Sequence, residues 1–335
     1  MAPRDDPAAD VFDSLEPIPD RDVSVIVQGP LLRDRDEGIH RCLTSLRAIL
    51  PNSEIIVSTW IGEDAGGLDA DHVVLSADPG CFWESPSRPY NLNRLLVSTA
   101  AGLRRVSRQY GLKIRSDMAL TNRRFLRIGA HRKQCHFSRP VTIPNLYIRD
   151  PERFPLLFHV ADTAQFGLTS DLLSYWQGDP FLRSDVLSEG NGRAWFSSTT
   201  RLFPEQALTT RWLQRNDADP GMRHASAISP RLLREWSTIL TQNFSVCDWK
   251  SSGLVFPARL ASDPTTISTL LSSDRFARLD VQQFSYLKSL RAKYFSPTYL
   301  VHARLGPLVS TLQANLPKTH EFLRGIWIRL LKARS

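Results

Sequence analysis

The chain has 335 residues, 42% hydrophobic and 23% charged, an ordinary globular composition long enough to bury a large core in one α/β domain or two unequal lobes. The formal net charge of +8, carried mostly by Arg, points to anionic partners such as phosphorylated substrates, anionic lipid or nucleic acid, without choosing among them. Four widely spaced cysteines with no CxxC pair exclude a zinc knuckle and a redox dithiol, and indicate a reducing compartment.

A polar leader, residues 1–20, is rich in Pro, Asp and Ala and lacks an apolar signal-peptide core. No run of 18 apolar residues occurs, so the expectation is a cytoplasmic protein without a membrane span. Residues 23–27 (VSVIV) then form an uninterrupted β-branched run ending in Gln28-Gly29-Pro30, the pattern of a parallel strand buried on both faces. A helix is predicted over 38–50, with Ile39, Leu43, Leu46, Ile49 and Leu50 on one side and Pro51-Asn52 as its stop. A second strand, 54–60, leads into an acidic, glycine-rich loop at 62–69, and a third, 72–75, ends at Asp78-Pro79-Gly80. Residues 81–89 read as a loop and 92–110 as a long helix, after which a short strand at 112–115 delivers Ser116 and Asp117 to its carboxyl end. This order predicts an α/β fold with a doubly wound, mostly parallel sheet flanked by helices. Such sheets bind ligands beyond the carboxyl ends of their strands, where Gln28, Thr59, Asp78 and Asp117 would sit.

In the second half, 158–162 followed by 165–168 reads as a strand and turn before a helix over 169–176. Residues 177–203 are loop-rich, and Pro204-Glu205 opens a helix to about 215, with Pro where a first helical turn tolerates it. Further helices are predicted over 230–243 and 265–293. Near the C-terminus Phe322, Leu323, Ile326, Trp327, Leu330 and Leu331 share one helical face, with Arg324, Arg329, Lys332 and Arg334 around it. This basic amphipathic end, 317–335, would either lie on an anionic bilayer or dock on the protein's own core. The chain thus divides into a flexible leader (1–20), two halves (21–130 and 131–260) and a more helical C-terminal extension (261–335).

Several polar residues stand where chemistry would need them. An Asp after a buried strand suits a hard divalent ion that bridges phosphate oxygens, and it also suits a helix cap; Asp117 fits either role. Asn91, Asn93 and Arg94 open a helix whose amides and positive end would face a diphosphate, or which is simply capped beside a solvated Arg. His159, between Phe158 and Val160, reads as a metal or phosphate ligand or as a hydrogen-bonded core residue. Glu205 lies in a first helical turn, where the dipole alone favours an acid by about 0.3–1 kcal/mol.

Taken as an ordered set, VSVIVQGP (23–30), EIIVSTW (54–60), DPG (78–80), NLNR (91–94), KIRSD (113–117), FHVAD (158–162), FGLT (166–169) and PEQ (204–206) resemble the WavE lipopolysaccharide synthesis family over roughly residues 20–216. That family is associated with bacterial lipopolysaccharide core and surface glycan synthesis, and is similar to glycosyltransferases of the GT-A fold. The resemblance implies transfer of a sugar, with inversion, from a nucleotide-sugar donor to a hydroxyl of a lipid-linked or oligosaccharide acceptor. Residues 21–130 would form the donor half and 131–260 the acceptor and catalytic half. Gln28, Gly29, Thr59 and Asp78 match positions that contact the nucleoside, with Asn93, Arg94, Arg115 and Asp117 completing the donor site.

Arg115-Ser-Asp117 resembles the DxD metal motif with Arg115 in place of its first acid. Two options follow: a divalent metal, Mn²⁺ or Mg²⁺, held by Asp117 and His159, or a direct contact between Arg115 and phosphate. Glu205, with Arg211 six positions on, resembles the base position of many inverting GT-A enzymes, and Asp162 is the rival base.

Two other classes compete. A nucleotidyltransferase would share the nucleotide fold, but no Gly-rich, Lys-containing phosphate loop lies near the first strand. A basic protein for nucleic acid or membrane surfaces is disfavoured, because the basic residues are spread and no RNP, zinc-finger or helix-turn-helix signature occurs. Nucleic acid is therefore not an expected partner.

Overall fold

The computed structural model describes residues 12–279, apart from 86–87, 152, 155, 189–199, 223, 273–274 and 277–278. The basic amphipathic segment 317–335, most of the helix expected over 265–293 and residues 1–11 of the leader lie outside the described residues.

Seven strands form one sheet: β1 (Val23–Gln28), β2 (Glu54–Trp60), β3 (His72–Ser76), β4 (Tyr110–Arg115), β5 (Val141–Pro144), β6 (Ala164–Leu168) and β7 (Phe244–Cys247). Their spatial order is β7-β5-β6-β4-β1-β2-β3. The four strands β4-β1-β2-β3 run parallel, with Val27 opposite both Ile114 and Val57, so their carboxyl ends share one edge. β6 runs antiparallel to β4 and β5, while β5 and β7 are parallel. The expected α/β sheet is present and mostly parallel, with one reversed strand at its centre.

Burial explains the strand sequences. Every residue of β1 and β2 is buried, the apolar Val and Ile side chains together with Ser24, Gln28, Glu54, Ser58 and Thr59, as strands covered on both faces are. The edge strand β3 alternates instead, leaving Val73 and Leu75 exposed. On one sheet face Val23, Val25, Val27, Ile55 and Val57 pack with Ile39, Leu43 and Leu46 of helix α1 (Ile39–Ile49). On the opposite face Ile26 joins Leu92, Leu96 and Leu103 of helix α2 (Leu92–Arg105). That second core also takes in Leu172 and Trp176 of α3 (Thr169–Trp176), Trp212 of α4 (Pro204–Arg215) and Trp236 of α5 (Pro230–Asn243). Alternation along one strand therefore feeds two helical layers. α2 approaches the sheet closely at Gly102, where an added Cβ would stand 2.5 Å from Ile26 Cγ2 and 3.1 Å from Ser58 Cβ.

The structure differs from the sequence-based expectation in five places. The helix expected over 265–293 stops at Ser268, because Leu270 joins Arg149 in an antiparallel bridge. Residues 81–89 hold a two-stranded ribbon, Phe82–Ser85 with Arg88–Tyr90, rather than a loop alone. α2 stops at Arg105 and not at 110, because Ser107 N–H donates to Glu54 and Tyr110 already belongs to β4. The apolar stretch 158–162 is not a strand: Phe158 takes a φ of 57°, and the strand is β6, just after it. The strands β5 and β7, four residues each, were not anticipated, since short apolar runs carry too little periodicity to be told from buried loop. Among the described residues no helix is long and apolar enough to cross a membrane.

Candidate active site

Strand β4 ends at Arg115, beside Gln28 of β1, and the chain turns through Ser116 to Asp117. The turn is fixed by the backbone: Ser116 N–H donates to Gln28 O at 3.0 Å, and Ser116 Oγ to Pro30 O at 2.6 Å. Asp117 is buried, and its two oxygens accept Arg115 Nε and Nη2, each at 2.9 Å. A second guanidinium, from Arg259, also donates to Asp117 Oδ2. Burial opposes ionisation of Asp117, but the hydrogen bonds and charge of Arg115, followed by the charge of Arg259, outweigh it and hold the carboxyl below its ordinary range.

Arg259 lies in a short helix, α6 (Ala258–Ala261), 142 residues after Asp117, and tertiary pairing brings it there. Leu254 and Val255 pair antiparallel with Leu120 and Ala119, next to Asp117, and Thr121 N–H donates to Gly253 O at 2.8 Å.

A second group of charges adjoins the first. His159 is buried and places Nε2 3.3 Å from Glu205 Oε2, at the start of α4. Burial raises the Glu205 carboxyl, but the charge and hydrogen bond of His159, with Arg149 further off, pull it below the ordinary value. Asp162 behaves oppositely. Burial, reinforced by the negative charge of Glu205, pushes it up to about 6, although Lys113, Arg115 and His159 pull the other way. No hydrogen bond or ion pair engages the Asp162 carboxylate among the described residues. Beneath it the wholly buried Lys113 of β4 donates Nζ to the Asp162 carbonyl and stands 5.1 Å from the Trp176 ring centroid. Burial lowers Lys113 to about 7.

The structure thus brings Arg115, Asp117, Asp162, His159 and Glu205 into one connected charge cluster. Arg211 is not part of it: its guanidinium stacks 3.5 Å from the Phe181 ring centroid and donates to the Asp179 carbonyl.

The other candidates sit along the same strand ends. Gln28 and Thr59 are buried near the carboxyl ends of β1 and β2, and Gln28 Oε1 and Thr59 Oγ1 have no hydrogen-bond partner among the described residues. Buried polar atoms are rarely left unpaired, and these two lie at the carboxyl edge of the parallel strands, the edge at which such sheets generally bind ligands. Gly29 follows Gln28 with a φ of 122°, which a side chain would strain. Asp78 grips Arg94 through two contacts, Nε at 2.8 Å and Nη2 at 2.6 Å, at the first turn of α2. Asn93 is engaged with the 181 backbone, accepting from Phe181 N–H at 2.8 Å and donating to Phe181 O at 3.0 Å.

Sequence reasoning missed Arg259, Arg149 and Lys113. Arg149 donates to Thr269 Oγ1 at 2.7 Å and Thr266 Oγ1 at 3.1 Å, and is an electrostatic neighbour of Glu205. Lys113 carried a signal, a charge inside an otherwise apolar buried strand. Arg259 carried none.

The residues around Asp117 do not fit a divalent ion. Both carboxylate oxygens already accept guanidinium N–H groups, and two positive charges flank the position a cation would take. Hard cations need several oxygen ligands, and among the described residues no three His, Cys, Asp or Glu side chains are grouped to hold a metal.

Comparison with known proteins places this geometry in context. The family model described as WavE lipopolysaccharide synthesis matches residues 23–305, a longer span than the motifs alone indicated and one that includes Arg259. No curated protein matches the sequence. Among solved structures, the mannosyltransferase PcManGT from Pyrobaculum calidifontis, in complex with GDP-Man and Mn2+, is similar at 10% identity, with 96% of this chain and 86% of that chain covered and a TM-score of 0.35.

Proposed function

The chain belongs to the WavE lipopolysaccharide synthesis family, a family of glycosyltransferases, and from that membership we propose that it moves a sugar from a nucleotide-sugar donor to a glycan hydroxyl with inversion. The observation that carries the choice of base is geometric: Glu205 is paired with His159 at 3.3 Å, while the Asp162 carboxylate has no protein partner among the described residues, and burial raises Asp162 whereas His159 holds Glu205 down. Acid and base roles follow from environments that push paired groups apart. Asp162, with no protein partner on its carboxylate and a value near neutrality, is the better proton acceptor; Glu205, held by His159, stays anionic and raises Asp162. This reverses the order in which the sequence alone ranked the two.

In this scheme the acceptor oxygen attacks the donor's anomeric carbon as Asp162 takes its proton. The carbon–oxygen bond to the diphosphate breaks, and its electron pair leaves with the nucleoside diphosphate. Gln28 and Thr59 would pair with the nucleoside, which is supported by their orphaned polar atoms, and Gly29 would let it approach the backbone. Asp78, Asn93 and Arg94 would shape the donor side through the start of α2.

The acceptor would be lipid-linked or an oligosaccharide, and residues 317–335 would touch the cytoplasmic membrane surface. Residues 21–130 would serve the donor and 131–260 the acceptor and catalysis. A panel of nucleotide sugars incubated with the full chain and a lipopolysaccharide-core acceptor tests the reading. Release of nucleoside diphosphate from one donor, abolished by Asp162→Asn, is the expected result, and release of pyrophosphate from a nucleoside triphosphate instead would overturn it.

A further inference from the structure

Resting on the glycosyltransferase reading above, we propose that Arg115 and Arg259, clamped on either side of Asp117, form the diphosphate-binding site and take the place of a divalent ion. Asp117 is then the positioning residue for two cations rather than a metal ligand.

Three observations support this. Arg259 shares only Nη2 with Asp117, its side chain is 53% exposed, and its other N–H groups make no hydrogen bond to protein among the described residues. Arg115 binds Asp117 through Nε and Nη2, which leaves Nη1, with no hydrogen bond to protein among the described residues, on a side chain 31% exposed. Arg115 ends its strand beside the orphaned Gln28, and Arg259 reaches the same carboxyl edge through Asp117. One buried carboxylate between two guanidiniums leaves a net positive charge of one, and a guanidinium fork matches phosphate oxygens in shape as well as charge.

The arrangement also fits the chemistry of departure. As the bond to the anomeric carbon breaks, negative charge grows on the leaving phosphate oxygen, and fixed donors already in place stabilise it without reorganising. The pinning of the 254–259 segment, by the pairing at Ala119 and Leu120 and by Ala258 N–H donating to Glu37 at 3.1 Å, supplies that fixity. A mobile Arg on an exposed loop would not.

The test is binding of UDP, GDP, CDP and ADP, with their monophosphates and inorganic pyrophosphate, to the full chain by titration calorimetry, after EDTA treatment and again with excess Mn²⁺ added. The expected result is that one nucleoside diphosphate binds with the same affinity, within about threefold, in both conditions, and that Arg259→Ala weakens it by about tenfold or more while the monophosphate changes less. Arg259→Lys should restore part of the loss. Binding that needs Mn²⁺, or an Arg259→Ala protein with wild-type diphosphate affinity, overturns the clamp while leaving the glycosyltransferase reading intact. Failure of every nucleotide to bind in either condition overturns both. If Arg259→Ala does not fold, the comparison of EDTA with Mn²⁺ on the wild-type chain still decides.

Discussion

His159 Nε2 lies 3.3 Å from Glu205 Oε2, a contact that joins the 158–162 stretch to the first turn of α4 and gives Glu205 a partner that the Asp162 carboxylate lacks among the described residues. Glu205 is engaged, and its charge acts on Asp162.

The first consequence is a pH profile. A base must be ionised to work, so kcat/KM should rise with pH through an acidic limb near 6, the value to which burial and Glu205 push Asp162. Glu205→Gln removes the negative neighbour and should move that limb to lower pH. A limb that stays in place, or moves up, in the Glu205→Gln profile would rule out the coupling.

Asp162→Asn should lower turnover by about 10²-fold or more, as loss of a general base does, with donor affinity kept within about threefold. Single-turnover rates and nucleotide titrations on the same preparation separate the two quantities. Full turnover in the variant would return the base role to Glu205.

Thr59→Val removes a buried hydroxyl that has no hydrogen-bond partner among the described residues. An unpaired buried polar group is a liability to folding, so the variant should unfold at the same or a higher denaturant concentration than the wild type. If Thr59 pairs with the nucleoside, affinity for the nucleotide falls by roughly threefold to tenfold at the same time. A stability loss with unchanged affinity would assign the hydroxyl to the fold.

Asp117→Asn breaks a buried carboxylate from two guanidiniums and should cost about 3 kcal/mol near neutral pH, measured by urea unfolding. The sign with pH follows from the depressed folded value. The ionised pairing contributes fully above the ordinary carboxyl value of 3.8 and is lost as pH falls through the folded value, so the gap to wild type should close only in acid. A gap that closes on raising the pH would mean that the pair is not the source.

Gly102→Ala places a methyl 2.5 Å from Ile26 Cγ2 and 3.1 Å from Ser58 Cβ, where α2 meets β1 and β2. Overpacking of this kind costs about 1–3 kcal/mol, and the expected readout is a lower urea midpoint with an unchanged slope.

Much of the carboxyl edge of the parallel strands was legible from local pattern. The runs at 23–27 and 54–60 read as strands, the first with the pattern of one buried on both faces, and the edge at which their carboxyl ends lie follows from connectivity. Gln28, Thr59 and Asp117 were therefore placed at the correct edge from sequence. The helices α1, α3, α4 and α5 came close to their expected bounds, because their apolar residues recur at helical spacing and each has a stop or start signal.

The ranking of the acids and the state of Asp117 were not legible, and the reason is physical. A carboxyl's role depends on what surrounds it, and decisive neighbours come from segments far along the chain: Arg259 reaches Asp117 through the pairing of Leu254 with Leu120, and Glu205 reaches His159 and the charge of Asp162 through the packing of α4 beside 158–162. The sequence by itself determined the parallel strands, the edge at which their carboxyl ends lie and an Asp at the end of β4. Only the tertiary structure decided that this Asp would be clamped between two arginines, because ion pairing is set by distance in space and not by spacing along the chain.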